Sequence, residues 1–196
     1  MNFIVISPHF PANFEQFSVS LSNNGITTLG IGDKAYDELT PSLRTALHEY
    51  YRVDDMEDYD QMYRAVAYFA FKYGKIDRLE SHNEYWLFQD AKLRTDFNIP
   101  GYKSDEMDKI KYKSKMKQVF LSHDIPVALG KVFQTAEEGW NLLEQFGYPV
   151  IVKPDSGVGA SDTYKISTPE DFTDFLTKSR CDLFYGRIHQ RRHHNF

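Results

Sequence analysis

A lysine followed by a glycine-rich loop is the part of this sequence best suited to chemistry. Lys153 comes directly after the β-branched run 150–152, and Pro154 ends the strand that this run predicts. Packing of its stem by the sheet would aim the ammonium group at one place. The small, flexible and hydroxyl-bearing residues of the loop are Ser156, Gly157, Gly159 and Ser161. Glycines let main-chain amides approach a phosphate closely and serines add donors, so we predict a phosphate-binding loop.

The order of these residues excludes a Walker-type phosphate loop. In that motif the lysine follows the glycines and opens a helix, whereas here Lys153 precedes them. The chain then enters another predicted strand, Tyr164–Ile166, which could pair back against 150–152. We therefore expect the loop to act as a flap over the phosphates. An ordinary glycine hairpin with an exposed lysine is the alternative interpretation.

Short apolar runs alternate with helical patterns through the first hundred residues. The predicted strands are Phe3–Ile6, Thr27–Ile31, Tyr50–Val53 and Ile76–Glu80. The predicted helices are Asn13–Asn23, a helix capped by Asp55 and ended by Gly74, and Glu84–Phe97. Strands that alternate with helices favour parallel pairing through right-handed crossovers, hence a doubly wound α/β sheet. A turn cluster at 98–101 marks a domain boundary.

The second part of the chain is predicted to mix helices with antiparallel strands. Thr135 and Glu138 form a capping box, and the helix that they open runs to Phe146. The run Val150–Val152 is typical of a strand buried on both faces. A last helix is expected from Thr168, with a proline at its first helical position.

Polar residues follow the fourth predicted strand at the edge where ligands of open α/β sheets usually bind. They are Glu80, Asn83 and Glu84, and we predict that they lie on the substrate side of a site. Helix-capping groups are the alternative. The segment Gly30–Gly32 has two glycines of a dinucleotide fingerprint but lacks the third, so an NAD site is not predicted.

Composition narrows the classes of partner. A formal net charge of −5 argues against broad attraction to nucleic acid or to an anionic membrane. The single cysteine, Cys181, cannot form an internal disulfide, which is typical of a reducing cytosol. The start Met1–Ile6 lacks the basic region of a signal peptide, and no segment approaches the roughly 18 apolar residues of a membrane span. We expect a cytoplasmic protein.

The unit of strand, Lys-Pro, glycine loop and returning strand resembles the ATP-grasp superfamily, in the manner of biotin carboxylase and carbamoyl-phosphate synthase. The resemblance extends upstream to the lysine-rich helix 113–117 and to the segment Asp124-Ile125-Pro126-Val127, in which Asp124 replaces the usual glycine. It implies that Lys113 and Lys153 are the two phosphate-binding lysines. Lys115 is a second candidate, because the Asp-Lys pair of the family is Tyr112-Lys113 here. A solvated helix face is the alternative for the helical lysines.

The resemblance also implies an architecture and a chemistry. Residues 1–104 would form the Rossmann-like domain that precedes an ATP-grasp module, and residues 105–184 its first α+β half. Enzymes of this family phosphorylate a carboxylate with ATP and Mg²⁺, and an amine, thiol or carbanion-like acceptor then attacks the acyl phosphate. The expected partners are therefore a nucleotide and a small carboxylate. The Mg²⁺ ligands are expected in the second half of the module, so no metal ligand is assigned in this chain.

The apolar periodicity is lost in the tail, 185–196, which holds three of the seven histidines. In the family, a strand and an interdomain hinge with a Met-Glu-Glu motif follow at this position. Codons can be chosen for residues 184–196 that give this motif when they are read one base out of frame. We interpret the tail as an out-of-frame remnant and the chain as a truncated ligase. A basic surface tail and a His-rich metal site are alternatives. A non-catalytic module that binds a nucleotide or another small ligand is the alternative function, and an unpaired sheet edge could promote a homodimer.

Overall fold

The computed structural model describes residues 1–157 and 162–178, together with the main chain of residues 186–190. The chain divides into two compact units, Met1–Met107 and Asp108–Phe196. Within the described ranges no helix is both long and apolar enough to span a bilayer.

Four parallel strands form the sheet of the first unit, in the order β3-β2-β1-β4. The strands are β1 (Asn2–Ile6), β2 (Thr27–Gly32), β3 (Glu49–Arg52) and β4 (Arg78–Glu80). The helices are α1 (Glu15–Asn23), α2 (Pro41–Ala46), α3 (Tyr59–Tyr73) and α4 (Leu87–Asp96), with short 3-10 turns at Ala12–Phe14, Tyr36–Glu38 and Glu84–Trp86. The chain winds outward from β1 to β3 and then returns to the other side of β1. The predicted doubly wound parallel sheet is confirmed.

The apolar pattern of the sequence becomes the core of this unit. Ile4 and Leu29 on the central strands and Leu79 on β4 are fully buried. Met62 and Phe69 on α3 are fully buried in the same cluster, as their helical spacing predicts. The parallel sheet is therefore held by a helix face whose residues were recognisable from the sequence.

Helix α3 begins three residues later than predicted. Asp58, not Asp55, is the N-cap, because its Oδ1 accepts from the main-chain nitrogens of Asp60 (2.9 Å) and Gln61 (3.4 Å). The carboxylate of Asp55 instead accepts from the main-chain nitrogen of Glu57 at 2.8 Å and stabilises the preceding turn. The predicted end of the helix at Gly74 is confirmed, since its φ of 79° is open mainly to glycine.

Two other boundaries differ from the sequence prediction. Strand β4 is shorter than the predicted Ile76–Glu80, although Ile76 is still buried in the core. Helix α2 was not predicted, but Thr40 caps it by accepting from the nitrogen of Leu43 at 3.2 Å. Pro41 takes its first position, where a missing N–H costs nothing.

A four-stranded antiparallel sheet forms the second unit, in the order β5-β8-β6-β7. The strands are β5 (Val132–Phe133), β6 (Val150–Pro154), β7 (Tyr164–Ile166) and β8 (Gly186–Gln190). The helices are α5 (Asp108–Lys111), α6 (Lys113–Ser122), α7 (Ala136–Phe146) and α8 (Pro169–Lys178). The predicted hairpin of β6 and β7 is confirmed, with Val150 opposite Ile166.

Strand β6 is buried mainly on one face. The apolar run of its sequence had predicted burial on both faces, and that prediction is wrong. Val150 and Val152 are 0% and 1% exposed, whereas Ile151 between them is only half-buried. The apolar cluster that covers the buried face comes from α7 and α8, with Leu143 and Phe172 as fully packed members. In an antiparallel sheet covered on one side, alternate residues point away from the core.

The tail, 185–196, whose sequence suggests an out-of-frame remnant, contributes a strand to this sheet. The main chain of Gly186–Gln190 lies between β5 and β6 and pairs with both. Residues 191–196, and with them part of the His-rich segment, lie outside the described residues. The out-of-frame interpretation concerns the gene and stays a prediction.

Helix α7 packs against the core through a glycine. The predicted capping box opens it, with Thr135 accepting from the nitrogen of Glu138 at 3.1 Å. A Cβ at Gly139 would lie 2.5 Å from the ring of Phe172 and 3.1 Å from that of Phe133, both of which are fully buried. The absence of a side chain at this position lets the helix approach the sheet.

We expect Gly139→Ala to destabilise the second unit by about 1–3 kcal/mol, because the added methyl overpacks a rigid aromatic core. Helix propensity alone would make the same change stabilising by about 1 kcal/mol, so the sign of the effect tests the packing. Urea denaturation followed by the fluorescence of Trp140, in a Trp86→Phe background, measures it. Asn141→Ala, at an exposed site of the same helix, is the control and should be neutral or mildly stabilising. A stabilised Gly139→Ala protein would contradict the packing.

Candidate functional site

Strand β6 positions Lys153. Because Val150 and Val152 enter the core, the alternation of the strand places Lys153 on the opposite face, beside the half-buried Ile151. The strand is central, paired with β7 on one side and β8 on the other. The main chain that carries the lysine is therefore fixed by hydrogen bonds on both sides, and its half-buried side chain leaves the sheet at the strand end.

Helix α6 brings Lys113 to the same strand end. The main-chain nitrogen of Lys113 donates to the carbonyl oxygen of Asp155 at 2.9 Å, and its Nζ lies 3.4 Å from the same oxygen. Asp155 is two residues beyond Lys153. The structure thus brings together two lysines that are forty residues apart in the sequence.

The carboxylate of Asp155 makes the second attachment to this helix. Its Oδ1 accepts from the main-chain nitrogen of Ser114 at 2.7 Å, and its Oδ2 accepts from the hydroxyl of Ser114 at 2.5 Å. The residue is only 4% exposed. Sequence reasoning missed this role, because the partners are 41 residues apart and no local spacing links them.

The alternative lysine, Lys115, is engaged elsewhere. Its ammonium group is paired with the carboxylate of Asp108 and lies 5.3 Å from the ring centroid of Tyr112. The hydrogen bond with Asp108 raises the pKa of Lys115, and nearby charges add to this. Of the two candidates for a first phosphate-binding lysine, Lys113 is the one whose ammonium group lies beside the strand end that carries Lys153.

The loop beyond the strand is described only in part. Ser156 is half-buried, and Gly157 is exposed with a φ of 154°, a region that favours glycine. Gly159 and Ser161 lie outside the described residues. The first half of the loop thus starts at the end of strand β6, beside which both lysines lie.

The predicted substrate-side residues of the first unit lie at the carboxyl end of β4. This is the edge where the strand order reverses, between β1 and β4. Glu80 is paired with Arg94 at 3.1 Å. Asn83 caps the short 3-10 turn, with its Oδ1 accepting from the nitrogen of Tyr85 at 3.0 Å, and Glu84 is exposed at the start of that turn. Asn83 therefore has the helix-capping role that was the alternative interpretation.

Behind this edge lies a buried ion network that sequence reasoning missed. Asp90 is 0% exposed and accepts from the nitrogen of Ser81 at 3.0 Å, while its Oδ1 has no hydrogen-bond partner among the described residues. Arg94 donates to the carbonyl of Leu79 at 2.9 Å and is paired with Glu80. The available signal was two opposite charges four residues apart on the inward face of a predicted helix.

Burial determines the ionisation of two groups at this edge. Burial raises the pKa of Asp90 to about 7, against the opposing effects of the Ser81 hydrogen bond and of Arg94. Burial also lowers the pKa of His82, which stacks on Phe17 with ring centroids 4.3 Å apart. Of these two groups Asp90 has a pKa near neutral pH, whereas burial favours the neutral form of His82.

Among the residues that the structure describes, no group of three or more His, Cys, Asp or Glu side chains is placed to hold a metal ion. We therefore assign no residue of this chain to Mg²⁺.

Comparison with known proteins identifies the origin of this arrangement. Residues 108–184 match the family model described as the ATP binding domain of the carbamoyl-phosphate synthase L chain. This match covers the lysine-bearing helix, strand β6 and the glycine loop. Residues 108–184 thus match an ATP-grasp domain. The resemblance seen in the sequence is thereby confirmed.

Among the proteins that resemble this chain are amino acid ligases and a biotin carboxylase domain. The L-arginine-specific L-amino acid ligase of Bacillus subtilis is 30% identical over 133 residues, which are 66% of this chain and 31% of that protein. The L-amino acid ligase of Bacillus licheniformis superposes with a TM-score of 0.67 at 19% identity, over 95% of this chain and 43% of that one.

The biotin carboxylase domain of the 2-oxoglutarate carboxylase of Hydrogenobacter thermophilus, solved as a dimer with MgADP, ADP and bicarbonate, gives a TM-score of 0.69. It is 16% identical over 97% of this chain and 44% of that one. The chain therefore spans less than half the length of these relatives, and at such identities the two solved structures establish the fold alone.

We expect the raised pKa of Asp90 to make the first unit less stable as pH rises. The unfolded chain releases this proton near pH 4, whereas the folded state holds it to about pH 7. The folded state therefore binds more protons across this window, and its stability falls by on the order of a few kcal/mol as pH rises through it. Asp90→Asn should remove this fall. Urea denaturation monitored by Trp86 from pH 4.5 to 8 tests it.

Asp96→Asn on the same helix is the matched control for this experiment. Hydrogen bonds from Tyr59 and then Lys92 lower the pKa of Asp96, so its contribution is present at neutral pH and lost on acidification. From pH 4.5 to 8 Asp96 is largely ionised in both the folded and the unfolded state, so the control should lower stability by a nearly constant amount and leave the slope of the pH profile as in the wild type. Parallel profiles for the wild type and Asp90→Asn between pH 5 and pH 8 would contradict the assignment.

Proposed function

We propose that this chain binds the phosphates of ATP or ADP through Lys113, Lys153 and the loop that follows. The loop residues assigned to this role are Ser156, Gly157, Gly159 and Ser161. The observation that carries the proposal is the attachment of Lys113 to Asp155, which places a second ammonium group beside the strand end of Lys153. Two cations and a glycine-containing loop at one point are suited to a polyphosphate.

The chemistry of this site is charge neutralisation and positioning. The lysine ammonium groups would offset the negative charge of the phosphates, and loop amides and hydroxyls would donate hydrogen bonds to the phosphate oxygens. Mg²⁺ would supply further neutralisation when bound. The main chain of Lys153 is held in a strand and that of Lys113 at a helix start. The nucleotide would therefore need to order little of the main chain that carries the two lysines.

For the lineage we propose an ATP-dependent ligase that joins a carboxylate to an amine, or to a thiol- or biotin-type acceptor, through an acyl phosphate. The similarity to an L-amino acid ligase over 66% of this chain supports the amine as acceptor. Residues 1–104 would be the domain that precedes the ATP-grasp module, and residues 105–184 its first half. Glu80 and Glu84, with Asn83 as the cap of their turn, remain candidates for the substrate side.

A non-catalytic binding module is the second candidate function for these residues. The chain spans 31% of the curated relative and 43% of the structural one, so the similarity does not by itself carry the reaction of those proteins over to this chain. We favour nucleotide binding for this chain and the ligase activity for its lineage. The fragment interpretation, the cytoplasmic location and self-association into a homodimer stay predictions.

Lys153→Ala is expected to abolish stabilisation by nucleotide, because it removes the charge fixed at the centre of the site. ADP with Mg²⁺ should raise the Tm of the wild type in proportion to ligand concentration, since ligand that binds only the folded state stabilises it. The measurement is a thermal shift titration with MgADP. Lys178→Ala removes the same charge from α8, where the lysine is exposed and is paired with Asp174 at 3.6 Å, and this variant should shift like the wild type. Equal shifts in both variants would refute the site.

We expect the purified chain to release no ADP above background with any pair of substrates, because the described residues include no group of three or more His, Cys, Asp or Glu side chains that could hold the metal ion used in phosphoryl transfer. A coupled assay for ADP, run with ATP, Mg²⁺ and a panel of amino acids and other small carboxylates and amines, measures this. Lys153→Ala is the blank for contaminating ATPases. Release of ADP that depends on substrate and is lost in Lys153→Ala would establish the enzyme over the binding module.

A further inference from the structure

We propose that Asp155 is a positioning residue for nucleotide binding, which holds the helix of Lys113 against the strand end of Lys153. The inference rests on the proposed function, because it names the group that makes the two lysines act on one ligand. Asp155 would touch no phosphate itself. Its three oxygen atoms all face the first turn of α6.

Helix α6 has few other polar attachments; one is the hydrogen bond from the ammonium group of Lys117 to the carbonyl oxygen of Ala128. None of its side chains is fully buried, although several are half-buried. Its N-cap residue, Tyr112, makes no side-chain capping hydrogen bond. The first-turn nitrogens of Lys113 and Ser114 are instead satisfied by Asp155, from another part of the chain. The helix is therefore located mainly by polar contacts at its amino end, which its dipole favours for a carboxylate.

The bonds to Asp155 are of the strong type. Its ionised carboxylate accepts from one amide and one hydroxyl, and its carbonyl accepts from a second amide. Only 4% of the residue is exposed, so loss of its partners would leave a buried charge without compensation. The attachment is thus costly to break and restricts α6 to one position.

Geometry links this attachment to both lysines. Pro154, the one residue between Lys153 and Asp155, has its φ fixed by its ring. A movement of α6 relative to Asp155 would therefore be a movement of Lys113 relative to Lys153. Binding of one polyphosphate by both lysines requires that distance to be held before the ligand arrives, because ordering two long cationic side chains during binding costs affinity.

If Asp155 were only a helix cap, its loss would lower stability without acting on nucleotide binding through Lys113. A double-mutant cycle separates this structural role from the positioning role. The four proteins are wild type, Asp155→Asn, Lys113→Ala and the double variant, and the measured quantity is the Kd for MgADP by calorimetry at a temperature where all are folded. We expect Asp155→Asn to weaken binding about 10-fold, as loss of a charged hydrogen-bond acceptor would. The double variant should bind within about 2-fold of Lys113→Ala, because the aspartate acts through that lysine.

Asp171→Asn is the matched control, since Asp171 also accepts from two main-chain nitrogens in the same unit, those of Ser167 (2.8 Å) and Thr168 (3.1 Å). It should lower the Tm and leave the Kd unchanged. If Asp155→Asn fails to fold, the pair Ser114→Ala and Ser114→Thr replaces it. Removal of the hydroxyl should weaken binding by a few-fold and threonine, which keeps it, should restore the wild-type Kd.

The outcomes distinguish this inference from the proposed function. A wild-type chain that does not bind MgADP refutes the proposed function, and the inference with it. Binding by the wild type together with an unchanged Kd in Asp155→Asn refutes the inference alone. Losses of affinity that multiply in the double variant also refute it, because they mean that Asp155 acts independently of Lys113.

Discussion

The hydrogen bonds between Asp155 and the start of helix α6 are the constraint on which the candidate site depends. The helix has no buried side chain and no cap of its own, so its place is set where the aspartate accepts from its first amides. The same residue follows Lys153 after a single proline. The first amides of every helix need hydrogen-bond acceptors. Here the contact that supplies them also determines where two lysines from distant segments lie.

Strand β6 serves the core and the site at once. Val150 and Val152 fill the apolar cluster under α7 and α8, and the alternation of the strand then requires Lys153 to leave on the other face. A strand buried on both faces would have placed the lysine against apolar side chains, where an ammonium group is costly. One-sided burial is thus a condition for a cation at this position. Gly139 contributes to it by allowing α7 to approach the covered face closely.

The first unit presents a different arrangement at the edge where its strand order reverses. Asp90 and Arg94 lie behind the carboxyl end of β4 and bind the main chain of Ser81 and Leu79. Glu80 completes the ion network at its exposed side. This edge is therefore shaped by buried charges that are only partly compensated. Buried charged groups of this kind are common at functional sites. In doubly wound sheets, ligands usually bind at this edge.

Local patterns in the sequence were enough to predict the secondary-structure elements and the types of residue in the candidate site. Helical and alternating periodicities, the capping box at Thr135 and the stop at Gly74 are local, so each could be recognised within one turn or one strand. The order of strand, lysine and glycine loop was sufficient to indicate the superfamily. The presence of Lys113 and Lys153 could be predicted, although their role is still a proposal.

Which of these residues come into contact depends on the packing of distant segments. The one-sided burial of β6, the choice of Lys113 over Lys115 at the strand end, and the attachment of Ser114 to Asp155 depend on contacts across about forty residues. The network of Asp90 and Arg94 likewise depends on a helix returning to β4. Local patterns specify hydrogen-bonding capacity and apolar faces, but the partner of a buried polar group is chosen by the packing of distant segments, which sequence spacing does not encode.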